Sequence, residues 1–290
     1  MYLLPRLFRT LRNLGRKIPA RFQSSISPVH SCIQEPIMRR FLLAPLLAVA
    51  FATAAHAAGL NDTGITDCWN DTSVVTTGVE ADSGTHPRQD CRYGRDAAAA
   101  AGVLPKTGRG SKGFDFSKIA NDGTVLDDAT VLGSGAGQWA CTRDNVTGLM
   151  WEVKTADSGF RDQANTYTWY STDSSSNGGS AGTAGGGTCS GDIACDTQSY
   201  VAAANAAGLC GYTDWRMPAP KELISIMDYG RTSPSIDLTY FPNTGASYFW
   251  SASAWASGSA VAWDVDFYFG SADSDFKNNG NKVRLVRAGQ

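Results

Sequence analysis

The sharpest hydrophobic patterning lies in the second half of the chain. After Asp196-Thr197, residues Tyr200, Val201, Ala204 and Ala207 recur at helical spacing, with Gly208 and Gly211 near the end. This predicts a helix capped by Asp196 and running through Leu209. A second helix is expected from Pro220, which suits a first helical position, to about Asp228, with Leu223, Ile226 and Met227 inward. The period then changes. Tyr248–Ala254, Val261–Phe269 and Lys282–Ala288 read as strands, with Ser257-Gly258 turning the first into the second. In the middle strand Val261, Trp263, Val265, Phe267 and Phe269 alternate with Ala262, Asp264, Asp266 and Tyr268. Two short helices packed on a small antiparallel sheet make an α+β fold.

Upstream the signals are weaker. From Gln138, Trp139 and Cys141 read as one strand and Thr147–Val153 as another, joined by a turn at Asp144-Asn145. The Ser/Gly-rich stretch 171–191 should be an exposed loop, tethered by Cys189 and Cys195. Residues 58–137 show little periodicity beyond Gly113-Phe114-Asp115-Phe116 and Thr124-Val125-Leu126. They are expected to form a loop-rich N-terminal extension of a domain over 138–290.

Export changes the reading of charge. Met38-Arg39-Arg40, an apolar run to Thr53 and Ala55-His56-Ala57 have the plan of a secretory signal peptide over 38–57, cleaved before Ala58. Residues 1–37 then form a leader upstream of a true start at Met38. The alternative is a long n-region or a transit-type peptide, since six Arg/Lys there face only Glu35. Either way the chain is expected in the periplasm or outside the cell, with no transmembrane segment after cleavage. Residues 1–57 hold eight of the 25 Lys/Arg and one of the 27 Asp/Glu, so the remainder carries 17 basic and 26 acidic residues, −9 net. Such a surface lacks a general attraction for nucleic acid, anionic membrane or sulfated polysaccharide.

Six of the seven cysteines follow residue 57: Cys68, Cys91, Cys141, Cys189, Cys195 and Cys210. An even count in an exported chain reads as three disulfides. Fifteen connectivities exist for six cysteines; chain order favours Cys68–Cys91, Cys189–Cys195 and Cys141–Cys210. A zinc site lacks ligands, because His86 is the one histidine after residue 57 and no CxxC occurs.

Five motifs carry a resemblance. They are Asp144–Trp151, Leu209–Pro218 with Lys221-Glu222-Leu223, Tyr240–Thr244, Phe249–Ser253 and Val283–Arg287. In this order, over about 138–288, the chain resembles the C-terminal domain family of the Legionella collagen-like protein. Asp62-Thr63-Gly64, Cys68 and Gln89-Asp90 look like the segment often found ahead of that domain. The resemblance implies a C-type lectin-like fold and an adhesin-like role toward glycans. Met217 and Ala219 depart from the usual Trp-Arg-Leu-Pro-Thr string; Ala219 lacks a capping hydroxyl, and Pro220 partly compensates. Arg216 and Glu222 are expected to pair and fix this loop to the helix, while Trp151 and Trp215 belong to the core.

Chemistry for catalysis is sparse. His86 stands alone, which disfavours Ser-His-Asp and Cys-His arrangements, and disulfides would consume the thiols a formylglycine-generating activity needs. Asp264 and Asp266 share a strand face and would suit a glycosidase pair, but alternation on a half-solvated strand explains them without chemistry. No catalytic residue is therefore assigned. Trp255, Trp263 and Tyr268 beside Asp264, Asp266 and Asn243 have the composition of a sugar site, with Trp255 expected to be exposed. Lys277, Lys282, Arg284 and Arg287 form the visible basic cluster. Calcium held by Asp and Asn oxygens is a cofactor this composition allows, without EF-hand spacing. The expectation is an exported binding protein, a lectin or adhesin. The alternative is an envelope or appendage subunit that self-associates or packs on envelope components.

Overall fold

The computed structural model describes residues 61–75 and 87–289. The expected leader and signal peptide, with Cys32 and His86, fall outside the described residues.

Among the described residues fourteen short stretches carry the regular structure. In chain order, strands β1 (Cys68–Trp69) and β2 (Val74–Val75) precede helices α1 (Asp90–Tyr93) and α2 (Arg95–Ala100). Strands β3 (Phe116–Ala120), β4 (Trp139–Asp144) and β5 (Leu149–Glu152) follow, then α3 (Thr197–Ala206), a 3-10 turn at Leu209–Gly211 and α4 (Pro220–Ser225). Strands β6 (Tyr248–Ala254), β7 (Val261–Asp266), β8 (Ser271–Phe276) and β9 (Val286–Ala288) complete the set. Two antiparallel sheets dominate, one in the order β3-β4-β5-β9 and one β6-β7-β8, beside the small β1-β2 pair. The fold is α+β, with few helices and small antiparallel sheets. Among the described residues no helix is long and apolar enough to cross a membrane.

Both predicted helices form. Asp196 Oδ1 accepts the Ser199 amide at 2.8 Å, satisfying one of the donors a helix start leaves open. Helix α3 ends earlier than its apolar spacing suggests, because Gly208 takes a left-handed conformation (φ 60°) after the last turn. Ala219 cannot cap α4 with its side chain, so Glu222 reaches back to accept the Ala219 amide at 2.7 Å, one half of a capping box.

Two expectations about strands are corrected. The third strand of the C-terminal meander is β8, in a segment between the expected strands, whereas β9, within the stretch 282–288 read as the third strand, pairs with β5 in the other sheet. Strand β8 has only Ala272 and Phe276 as apolar residues, too few for a hydrophobic alternation to announce it. The path into β9 is fixed instead by Glu152, whose Oε2 accepts the Leu285 amide at 3.0 Å. Strand β7 stops at Asp266, which leaves Phe269 66% exposed beyond it.

Residues 61–75 and 87–137 carry short strands and two short helices among loops. Strand β3 lies at the edge of the four-stranded sheet, and Phe114 and Phe116 enter a core with Trp151, Leu223, Phe249 and Val265. A second core gathers Trp169, Tyr167, Trp215, Trp250 and the Cys141–Cys210 disulfide. Cys68–Cys91 and Cys189–Cys195 are also bonded, so chain order gave all three pairs. Three disulfides fit an oxidising extracellular or periplasmic compartment.

Candidate functional site

The β6-β7-β8 sheet is covered on both faces. Helix α4 and its continuation bring Leu223, Ile226 and Met227 against Phe249 and Val265; on the other side Trp250 and Ala262 pack with Tyr167, Trp169 and Val283. Side chains alternate along a strand and cross-strand partners share a face. The register Tyr248↔Asp266, Trp250↔Asp264 and Asp264↔Asp273, with Ala262↔Asp275, therefore puts four carboxylates and Tyr248 on one face. Tyr248, Asp264, Asp273, Ser274 and Asp275 line a pocket there of about 260 Å³.

Asp264 forms the floor. It is 1% exposed, which corrects the half-solvated placement expected from alternation: this face carries packing of its own. Its Oδ2 accepts from Asn281 Nδ2 at 2.9 Å, whereas Oδ1 is buried with no partner. Burial, and then the neighbouring Asp275, Asp273 and Asp266, push its carboxyl up to about 7. Such a group both donates and accepts hydrogen bonds near neutral pH. Asp266 is also buried and uses Oδ1 to accept the Tyr268 amide at 2.8 Å. Asp275 accepts from Asn279 Nδ2 at 2.6 Å, and Tyr248, 44% exposed, leaves its ring at the rim. Asp266 first, then burial, hold the Tyr248 hydroxyl above its usual range.

The other predicted site residues lie elsewhere. Trp255 and Trp263 lie against each other with ring centroids 4.5 Å apart and planes tilted by 34°, both half-buried. Trp263 faces Ser274, on the sheet face opposite Asp264, so the expected grouping of indoles and carboxylates is split by the sheet. Tyr268 sits in the β7–β8 turn against Phe269 at 4.3 Å. Asn243 adopts φ 57° and donates to the Lys154 carbonyl at 3.0 Å, an anchoring role away from the pocket.

The basic cluster is corrected too, because its members are internal staples. Lys277 is 2% exposed, donates to the Asn177 and Ser180 carbonyls at 2.8 Å each, and lies over the Trp169 ring. Lys282 Nζ gathers the carbonyls of Gln163, Ala164 and Asn165 at 2.7 to 3.1 Å. Buried Arg284 rests against Phe241 and Phe249 and donates to Thr244 Oγ1 at 2.5 Å. Arg287 pairs with Asp214 at 2.6 Å and stacks on Tyr212. Arg216 and Glu222 meet in a two-pronged pair at 2.6 and 2.7 Å, and Trp151 and Trp215 are buried.

Asp273, Asp275 and Asn281 belong to the stretch 271–281, which the sequence places beside the site as a loop without marking these three residues in it. Their signal was the period-two placement of Asp273 and Asp275 in a polar stretch, which lacks the apolar partner positions that mark a strand. A larger neutral cleft of about 360 Å³ lies among Trp169, Tyr170, Gln198, Val201 and Met217. Its polar groups are already engaged: Gln198 Oε1 accepts from Thr172, and the Thr197 hydroxyl bonds Tyr170. The unsatisfied oxygen of Asp264 makes the acidic pocket the better candidate.

No curated protein and no solved structure matches the chain. A family match covers residues 140–287, from the second residue of β4 to within β9. The motifs within that span build the buried frame described above, from Trp151 and Trp215 to Arg284 and Arg287, and by this match the chain belongs to the Lcl C-terminal domain family.

Proposed function

We propose that the protein is exported and binds carbohydrate through the acidic pocket of the β6-β7-β8 sheet, on a C-type lectin-like scaffold, without catalysis. The observation that carries this reading is the buried, unpartnered Oδ1 of Asp264 in a pocket that the half-exposed Tyr248 also lines. A sugar offers hydroxyl donors to such an oxygen and a CH face to such a ring. Clustered carboxylates repel sulfate and carboxylate groups. The favoured ligands are therefore neutral or amino sugars, in contrast to the sulfated glycans a basic surface would select. Neutral glycans and amino sugars on an array should give hits that Asp264→Asn and Tyr248→Ala remove. Exclusive binding of sulfated glycans, or hits unchanged in both variants, would refute the reading. Hydrolysis of aryl glycosides by the wild type that vanishes in Asp264→Asn would replace binding by catalysis.

One observation favours the alternative of an assembling envelope subunit. Tyr268 and Phe269, 43% and 66% exposed, form an aromatic tip on the β7–β8 turn. Stable oligomers by mass photometry that dissociate in Phe269→Ser, together with a blank array, would support assembly instead.

A further inference from the structure

A second unsatisfied carboxylate lies in the leading segment, away from the pocket residues. One oxygen each from Asp62, Asp90 and Asp96 lie within 4.8 Å of one another. Asp62 precedes β1, Asp90 opens α1 next to the Cys68–Cys91 bridge, and Asp96 belongs to α2. Asp62 and Asp96 are 7% and 3% exposed; Asp90 is half-buried. The Gly113 amide is shared between Asp62 Oδ2 at 2.6 Å and Asp96 Oδ1 at 2.8 Å, and Thr63 Oγ1 donates to Asp90 Oδ2. Asp96 Oδ2 is buried and accepts from no N–H or hydroxyl donor of the fold, and its carboxyl lies within hydrogen-bond reach of the Asp62 carboxyl, the two repelling when both are charged.

Arg95, Lys106 and Lys112 give their hydrogen bonds to other groups, although Lys106 lies close enough to attract Asp62 and Asp96. Arg95 Nε donates to the Gly113 carbonyl at 2.8 Å. Lys106 Nζ bonds the Gly110 and Lys112 carbonyls, and Lys112 Nζ bonds the Gly64 carbonyl and Asp228. Three carboxylates thus converge with a buried oxygen unmatched, an arrangement that is costly unless something positive sits between them.

We propose that Asp62, Asp90 and Asp96 cage a calcium ion that holds the start of the leading segment onto helices α1 and α2. The donors are all oxygen, which suits a hard cation, and two ligands each about 2.4 Å from one ion stand no more than about 4.8 Å apart. The ion would join three stretches of chain that a single disulfide connects only in part, and through Gly113 it would reach the strand that begins at Phe116.

Calorimetric titration of calcium chloride into the EDTA-stripped full chain, disulfides intact, tests this. The expected result is one site with Kd on the order of 10⁻⁴ M, as in extracellular calcium modules, and a calcium-dependent rise in Tm. Asp96→Asn keeps the shape but removes a charged ligand, and should weaken binding at least ~10-fold. Asp264→Asn should leave it unchanged. Asp90→Asn, at a half-buried position, makes the same comparison where Asp96→Asn does not fold. Absence of heat and of a Tm shift at about 10 mM calcium, far above the expected Kd, overturns the proposal. So does wild-type affinity in the Asp96 and Asp90 variants, or loss of the calcium signal in Asp264→Asn alone.

Discussion

Glu152 and Asp264 are both buried carboxylates on central strands, yet their surroundings are opposite. Glu152 Oε1 meets Lys154 at 3.1 Å and the Tyr200 hydroxyl, while Oε2 takes the Leu285 amide. Burial raises the Tyr200 hydroxyl well above its ordinary range and pulls Lys154 down to about 8, with Glu152 opposing the latter. Asp264 faces three other carboxylates and leaves one oxygen unmatched. A satisfied buried charge fixes how segments pack; an unsatisfied one is held ready for something the folded chain does not supply.

The largest expected effect comes from breaking the satisfied site. Glu152→Ala strands Lys154 in the core and should cost about 3–5 kcal/mol, read as a lowered urea midpoint at constant m. Lys277→Met frees two loop carbonyls and should cost about 1.5–3 kcal/mol, with faster proteolysis within 171–191 as the local readout.

The unsatisfied site should respond in the other direction. Asp264 has a folded pKa of about 7 against an ordinary 3.8, so the native state holds a proton that the unfolded chain has lost between those values. Stability should therefore fall as pH rises from about 4 to about 7, this contribution arising where Asp275, Asp273, Asp266 and Tyr248 face the group beside neutral Asn281. Asp264→Asn should flatten that slope and raise stability on the order of 1 kcal/mol at pH 8, with little change at pH 4, by thermal melts. Arg216→Ala gives the smallest effect, about 1 kcal/mol or less in denaturant titration, because its side chain is 48% exposed.

The same contrast explains what was legible in the sequence. The helices announced themselves through Asp196 and Pro220, which act locally, and the disulfides through chain order. Arg216 and Glu222, six residues apart, are also placed by local geometry. Burial of Asp264 was not legible, since strand alternation reports one covered face and this sheet has two. Lys277, Lys282 and Arg284 look like surface charge until their carbonyl and ring partners, distant in sequence, are seen. Asp62, Asp90 and Asp96 share no spacing that marks a ligand set, because separate segments assemble them.

The Cys141–Cys210 bond spans 69 residues and straddles the whole Ser/Gly-rich excursion. Covalently, that part of the chain is a closed ring. A single backbone nick between 171 and 187 would open the ring without releasing either piece, and the fragments would part on a gel only after reduction. The excursion is thus a place where the polypeptide can be cut, or lengthened by evolution, while the two walls it springs from stay joined.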